Sequence, residues 1–225
     1  MAVIHRTTME PGKLQLLAAW LPTRPWYTGT GAPELAPAGG FRLDDPRGEV
    51  GMEFMVVTDT SGGGPVAYHV PVTYRGAPLD GAGDALVGTS EHGVLGRRWV
   101  YDGAQDPVLV AQLLALLQGR AVPQAQSLSD TPDLSVAVSP APAGLTAVSP
   151  SATAQDGEHG TDIVVGAAAD GDAPVTLGVR RVLLPEGSAA GGTGADVLGH
   201  VTAGWNLPAG DEIRGRFAVL ARGPR

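Results

Sequence analysis

The densest concentration of reactive side chains is the segment SEHGVLGRRWVYDGAQDP, residues 90–107. It gathers Glu91, His92, Arg97, Arg98, Trp99, Tyr101, Asp102 and Asp106 in one turn-rich stretch. Imidazole, carboxylate and guanidinium groups at this density are the material of acid–base and anion-binding sites. The specific chemistries fail on spacing. Ser90, Glu91 and His92 are adjacent in sequence, where side chains seldom point at one another, and no G-x-S-x-G elbow accompanies them. Neither H-x-H nor H-E-x-x-H occurs, so no metal ligation is expected, and His69, in mid-strand, reads as structural. The glycine runs SGGGP and GSAAGGTG lack the Gly-Lys-Ser/Thr of a phosphate loop and read as hairpin tips. Trp26, Tyr27, Trp99 and Tyr101 offer faces that suit a sugar ring, although aromatics at 5% of the chain are needed equally as core anchors. The residues expected to touch a ligand or partner are Trp26, Tyr27, His92, Arg97, Arg98, Trp99 and Tyr101. No catalytic residue, metal or cofactor is assigned.

These residues must be positioned by elements with recognisable signals. AVIHRTT reads as a strand and KLQLLAAWL as a short helix ended by Pro22, with Leu14, Leu17, Ala18 and Leu21 on one face. VGMEFMVVTD reads as a strand covered on both faces. VAYHVPVTYRG, DALVGTS and RRWVYDG follow as an antiparallel meander, turned by TSGGGP and EHGVLG. The sharpest local signal is a helix over 107–118: Asp106 caps it, Pro107 opens it, Leu109, Leu113, Leu116 and Leu117 form its stripe, and Gly119 ends it. Arg97, Arg98 and Asp102 are expected to form a solvated rim at this corner.

Beyond residue 122 the composition turns to Pro, Ser, Ala and Thr, so 123–160 reads as a partly flexible connection, with LSVAV and LTAVS able to pair as short edge strands. From 161 strands return in TDIVVGA, PVTLGVRRVLL, LGHVTAGW and IRGRFAVLA, the last a buried strand. The expected organisation is a unit over 1–122, the connection 123–160 and a β-rich half over 161–225. Its fold class is α+β: a curved antiparallel sheet packed by two main helices, with the second half extending the sheet or forming a small subdomain.

Composition limits the function. The chain has 225 residues and no cysteine, which removes disulfides and thiolate chemistry and fits a reducing cytoplasm. No run approaches the roughly 18 apolar residues of a membrane span, and no leader is evident, so no membrane is expected. A net charge of −8 argues against nucleic acid, whose binding depends on Lys and Arg meeting phosphates. The basic residues are 14 Arg and a single Lys, Lys13.

A family resemblance emerges from ordered motifs. Trp20-Leu21-Pro22, then Trp26-Tyr27, then Tyr68, Val70 and Pro71, then Val100-Tyr101-Asp102 with Asp106-Pro107 are similar to the N-terminal cap of maltokinases, over roughly residues 10–120. Pro25 separates Arg24 from Trp26 where the family runs Arg-Trp directly. EHGTDIVV and LGVRRVLLPEG faintly resemble the start of the kinase lobe that follows such a cap.

The resemblance implies a place in maltose, trehalose and glycogen metabolism, but not the kinase activity. Phosphoryl transfer needs a phosphate-holding Lys, a catalytic Asp and magnesium ligands. The strand expected to supply the Lys reads Leu177-Gly178-Val179-Arg180-Arg181, and none of the five His is followed two positions on by Asp. A chain stopping here also leaves no room for the C-terminal lobe, so a stand-alone kinase is not expected. The expectation is a non-catalytic, cytoplasmic cap-like module with a protein partner or ligand in α-glucan or trehalose metabolism, and with room for a homo-oligomer. The alternative is a small nucleotide- or sugar-binding protein, or a divergent kinase-related enzyme.

Overall fold

The structure, a computed structural model, describes residues 7–143, 154–165, 174–188, 196–208, 210 and 212–223. Among the described residues it is mostly antiparallel β, arranged as two sheets, with two short α-helices. The first sheet holds β1 (Met9–Glu10), β2 (Leu35–Leu43), β3 (Gly51–Asp59), β4 (Val66–Arg75), β5 (Leu86–His92), β6 (Gly96–Asp102) and β7 (Gln124–Ala125), in the spatial order β1-β5-β6-β4-β3-β2-β7. The second holds β8 (Ala137–Ser139), β9 (Ala154–Asp156), β10 (Gly160–Val164), β11 (Val175–Arg180), β12 (Asp196–Asn206) and β13 (Glu212–Arg222), in the order β8-β12-β13-β11-β10-β9.

The expected strands are present, but not as a meander. β6 lies between β4 and β5, so the chain leaving β4 skips a position, forms β5 further out and returns by the 93–95 turn to fill the gap. β2 arises where no periodicity marks a strand. Gly39 and Gly40 take φ of +141° and +129° at a bulge, and a Cβ on Gly40 would come within 2.2 Å of the Phe54 carbonyl oxygen. Glycine there lets β2 lie against β3. Most of AVIHRTT lies outside the described residues, as does LTAVS, whereas LSVAV supplies β8 at the edge of the second sheet.

The expectation of two main helices packing one sheet is corrected. α1 (Lys13–Trp20) and α2 (Pro107–Leu117) have eight and eleven residues, and the principal cover of the first sheet's inner face is the second sheet. The reason lies in the second half, where β11, β12 and β13 bring a complete apolar face of their own. Phe41, Phe54, Val56, Leu177, Val201, Phe217, Leu220 and the α2 leucines form one continuous core. Phe41 stacks on Phe54 at 4.5 Å, and Phe217 meets the ring of His69 at 4.5 Å. Each such buried side chain contributes roughly 1.5–3 kcal/mol. β13 is buried on both faces, as Phe217, Ala218, Val219 and Leu220 require.

α1 covers the outer face. Leu16, Leu17 and Trp20 are its buried residues; of the expected set Leu14, Leu17, Ala18 and Leu21, Leu17 and the following Leu21 are buried, Leu14 packs against the same cluster, and Ala18 is only partly covered. Trp20 joins that face, its ring packing edge-on against Trp26 at 5.7 Å. Among the described residues no helix is long and apolar enough to cross a membrane.

Candidate functional site

At the 90–107 corner most of the reactive groups serve structure. Asp106 is wholly buried. Its carboxylate accepts from the Val108 N–H at 2.9 Å as helix cap, from the Thr73 hydroxyl at 2.7 Å, and from Arg75 through two bonds of 2.7 Å. Asp102, expected on a solvated rim, is also completely buried. Arg181 Nη2 reaches both of its oxygens at 2.6 Å, and the Ala104 N–H donates to it at 3.1 Å. The rim expectation fails for Asp102 because the residue that follows β11 of the second sheet delivers a guanidinium here from 79 residues away. Arg181 also donates through Nε to Thr161 at 2.8 Å and lies 5.1 Å from the centre of the Trp26 ring, a cation–π contact.

Beside this ion pair the two sheets share backbone bonds. The His69 N–H donates to the Arg181 carbonyl at 2.8 Å, and the Leu183 N–H donates to that of Ala67 at 2.9 Å. His69 Nδ1 donates to the Arg180 carbonyl at 2.9 Å, which assigns the proton to that nitrogen. Burial pushes the His69 imidazole down to about 3, opposed by the Arg180 hydrogen bond and helped by the Arg181 charge, so the ring is neutral.

The aromatic candidates form two clusters. Trp26, fully buried, packs among Trp20, Tyr68 and Arg181. Tyr27 leans on Tyr68 at 5.3 Å and donates to Asp59 at 2.6 Å; burial first and that bond next push its phenol up to about 12. Trp99 and Tyr101 share a face, as the strand period dictates, and pack with Leu79, Ala82 and Ala85. Tyr101 accepts from the Leu79 N–H at 2.9 Å. Arg97 forms an exposed pair with Glu91 at 2.7 Å, with 62% of its side chain in solvent. These are anchors and a solvent-exposed surface pair, and none lines the cavity at this corner.

His92 and Arg98 do. They line a cavity of about 540 Å³ together with Lys13, Arg42, Asp45, Glu49, Glu53, Tyr74 and Gln126. Strand alternation places it. Glu53, Tyr74 and Arg98 point to the same side as Met55, Val72 and Val100, the residues that α1 covers, so the cavity is the part of that sheet face left open beyond the start of α1. At its centre Glu53, 4% exposed, accepts from Lys13 at 2.6 Å, from Tyr74 at 2.7 Å and from Gln126 at 2.8 Å. Burial first, and then the Glu53 charge, raise the Tyr74 phenol well above its usual value, which keeps it a hydrogen-bond donor.

Asp45 accepts the N–H groups of Arg47, Glu49 and Val50 at 2.9–3.0 Å, which closes the β2–β3 turn. Those bonds outweigh burial and hold its carboxyl below the usual range. Arg42 donates to the carbonyls of Ala125 at 3.1 Å and Leu128 at 3.0 Å. His92 Nδ1 accepts from the N–H groups of Val94 and Leu95 at 3.2 and 3.1 Å, so its Nδ1 is unprotonated.

Of the seven residues expected to touch a ligand, the structure therefore brings His92 and Arg98 to one open site and leaves Trp26, Tyr27, Arg97, Trp99 and Tyr101 outside it. It adds Lys13, Glu53, Tyr74 and Gln126, drawn from four separate segments. Only the singularity of Lys13 in the sequence could have drawn attention to any of them. Among the described residues no group of three His or carboxylate side chains is placed to hold a metal ion.

No curated protein matches the chain. Residues 20–106, from the end of α1 to the Asp106 cap, match the family model of the maltokinase N-terminal cap domain, the family whose motifs they resemble.

Proposed function

We propose that this protein is a non-catalytic binding module of maltose and α-glucan metabolism, which presents the cavity beside α1 to a sugar-type ligand and regulates or scaffolds a partner enzyme. The cavity carries the proposal. It is a concave site of ligand size whose partly apolar lining carries several charged and polar side chains, and most of that lining comes from the segment that matches the maltokinase cap. Donors and an acceptor remain around the Glu53 hydrogen-bond cluster, with Lys13 and Arg98 in the same lining as Glu49, as recognition of sugar hydroxyls requires. The non-catalytic assignment draws on the sequence, where β11 carries no lysine and no His-x-Asp occurs.

Thermal shift with maltose, trehalose, short α-glucans and nucleotides tests ligand binding, and affinity capture from the native host tests the partner. A saturable shift with a saccharide, or recovery of an enzyme of α-glucan metabolism, is expected. Silence in both experiments would sink the proposal. Incubation with ATP, magnesium and maltose is expected to give no phosphorylated sugar; turnover would establish a kinase-related enzyme instead.

A further inference from the structure

We infer that the cavity takes an anionic sugar, a mono- or disaccharide bearing one phosphate, with Arg98 and Lys13 meeting the anion. This rests on the cavity being the binding site, as proposed above, and adds the charge of the ligand. The argument begins with which cavity charges are already occupied. Asp45 is consumed by three backbone N–H groups and Glu53 by Lys13, Tyr74 and Gln126. Arg42 is held by two backbone carbonyls.

Arg98 differs. It donates through Nη2 to the Leu95 carbonyl, its Nε is buried without a partner, and it has no carboxylate within salt-bridge distance among the described residues. An Nε–H withdrawn from water and unpaired carries a desolvation cost, and the rest of the guanidinium, partly open to the cavity, has a planar fork that fits phosphate oxygens through two bonds. A carbon at Gly76 would stand 3.1 Å from Arg98 Nη1, so the absence of a side chain there leaves the guanidinium room to lie against the strand.

Lys13 supplies a second cation. Its ammonium donates to Glu53 and its side chain is 40% exposed, which leaves further N–H groups for a ligand. Arg98 comes from β6 and Lys13 from the start of α1, its ammonium on Glu53 of β3, whereas Asp45 and Glu49 come from the β2–β3 turn. The exposed Glu49 is then placed to accept from sugar hydroxyls. A ligand with an anion at one end and hydroxyls at the other matches that polarity, and 540 Å³ accommodates a mono- or disaccharide.

Titration calorimetry of the full chain with glucose 1-phosphate, maltose and inorganic phosphate tests this. Glucose 1-phosphate is expected to bind the wild type tightest, and to weaken as salt is raised. Arg98→Ala, checked by circular dichroism for an intact fold, is expected to weaken that binding roughly 10- to 100-fold. Arg98→Lys should recover part of the loss, and Arg97→Ala, on the exposed pair with Glu91, should change nothing. Maltose binding tighter than glucose 1-phosphate, indifferent to Arg98 and to salt, would overturn the anion assignment and leave the cavity as the site. Inorganic phosphate binding as tightly as glucose 1-phosphate would overturn the sugar. Binding by none of the three would remove the phosphate inference and count against the sugar-type ligand as well. Should Arg98→Ala fail to fold, the salt dependence in the wild type decides between charged and neutral ligands.

Discussion

The outer face of the first sheet is closed at one end and open at the other, and arginines at the two ends show why. Arg181 is fully enclosed and meets Asp102, Thr161 and the ring of Trp26, so its charge is spent on holding the second sheet to the first. Arg98 is half-buried and has one bond to a backbone carbonyl. The Arg181 charge is met inside the protein by a carboxylate, whereas that of Arg98 has no such carboxylate among the described residues and is partly open to solvent. By this contrast the aromatic end is architecture, and the Lys13 end is the one to which the proposal assigns recognition.

The contrast can be broken most completely by removing β13. It pairs with β11 and β12 and carries Phe217 and Leu220 into the shared core. A chain truncated after Gly210 is therefore expected to give no soluble, cooperatively unfolding protein. A folded monomer from that truncation would show that the two sheets are independent.

A smaller effect is expected from Arg181→Ala, which leaves the Asp102 carboxylate buried and unpaired. Loss of a buried partner costs about 3–5 kcal/mol, measurable as a lower urea midpoint. Arg181→Met combined with Asp102→Leu should recover much of that loss, because no orphan charge remains. A single variant as stable as wild type would contradict the closed-end account.

The third effect is pH-dependent. The neutral His69 has a folded value of about 3 against 6.5 for the free side chain. Stability is then complete above about 6.5 and declines as pH falls from there toward 3, because only the unfolded chain takes up the proton. From pH 6.5 to 5 the loss amounts to about 2 kcal/mol. His69→Gln, which keeps a donor for the Arg180 carbonyl, should flatten that slope in urea titrations; an unchanged slope would place the acid sensitivity elsewhere.

These outcomes bear on what the sequence could reveal. α2 was legible because Asp106, Pro107 and Gly119 each act within one turn of the helix. β3, β4, β6 and β13 were legible because apolar alternation or a continuous apolar run marks them. β2 was not, since Pro37, Gly39 and Gly40 interrupt any period and only a neighbouring strand makes it one. The insertion of β6 between β4 and β5 was hidden for a related reason: sequence order does not dictate strand order when a loop such as 76–85 can pass over an unfilled position. Asp102 looked like a rim residue because its partner is 79 positions away. The cavity was half visible. His92 and Arg98 lie in the dense 90–107 segment, whereas Lys13, Glu53 and Tyr74 come together only through pairing of strands and placement of α1.

Lysine-selective ¹³C labelling tests the open end most directly, because Lys13 is the single lysine of the chain and lines the cavity. The Lys13 side-chain signal would be followed alongside the indole N–H signals of the four tryptophans during titration with glucose 1-phosphate. A saturable shift of Lys13 with the Trp20, Trp26, Trp99 and Trp205 indoles unmoved is the predicted result. A shift of the Trp26 or Trp99 indole with Lys13 unmoved would contradict the account and return recognition to the aromatic clusters.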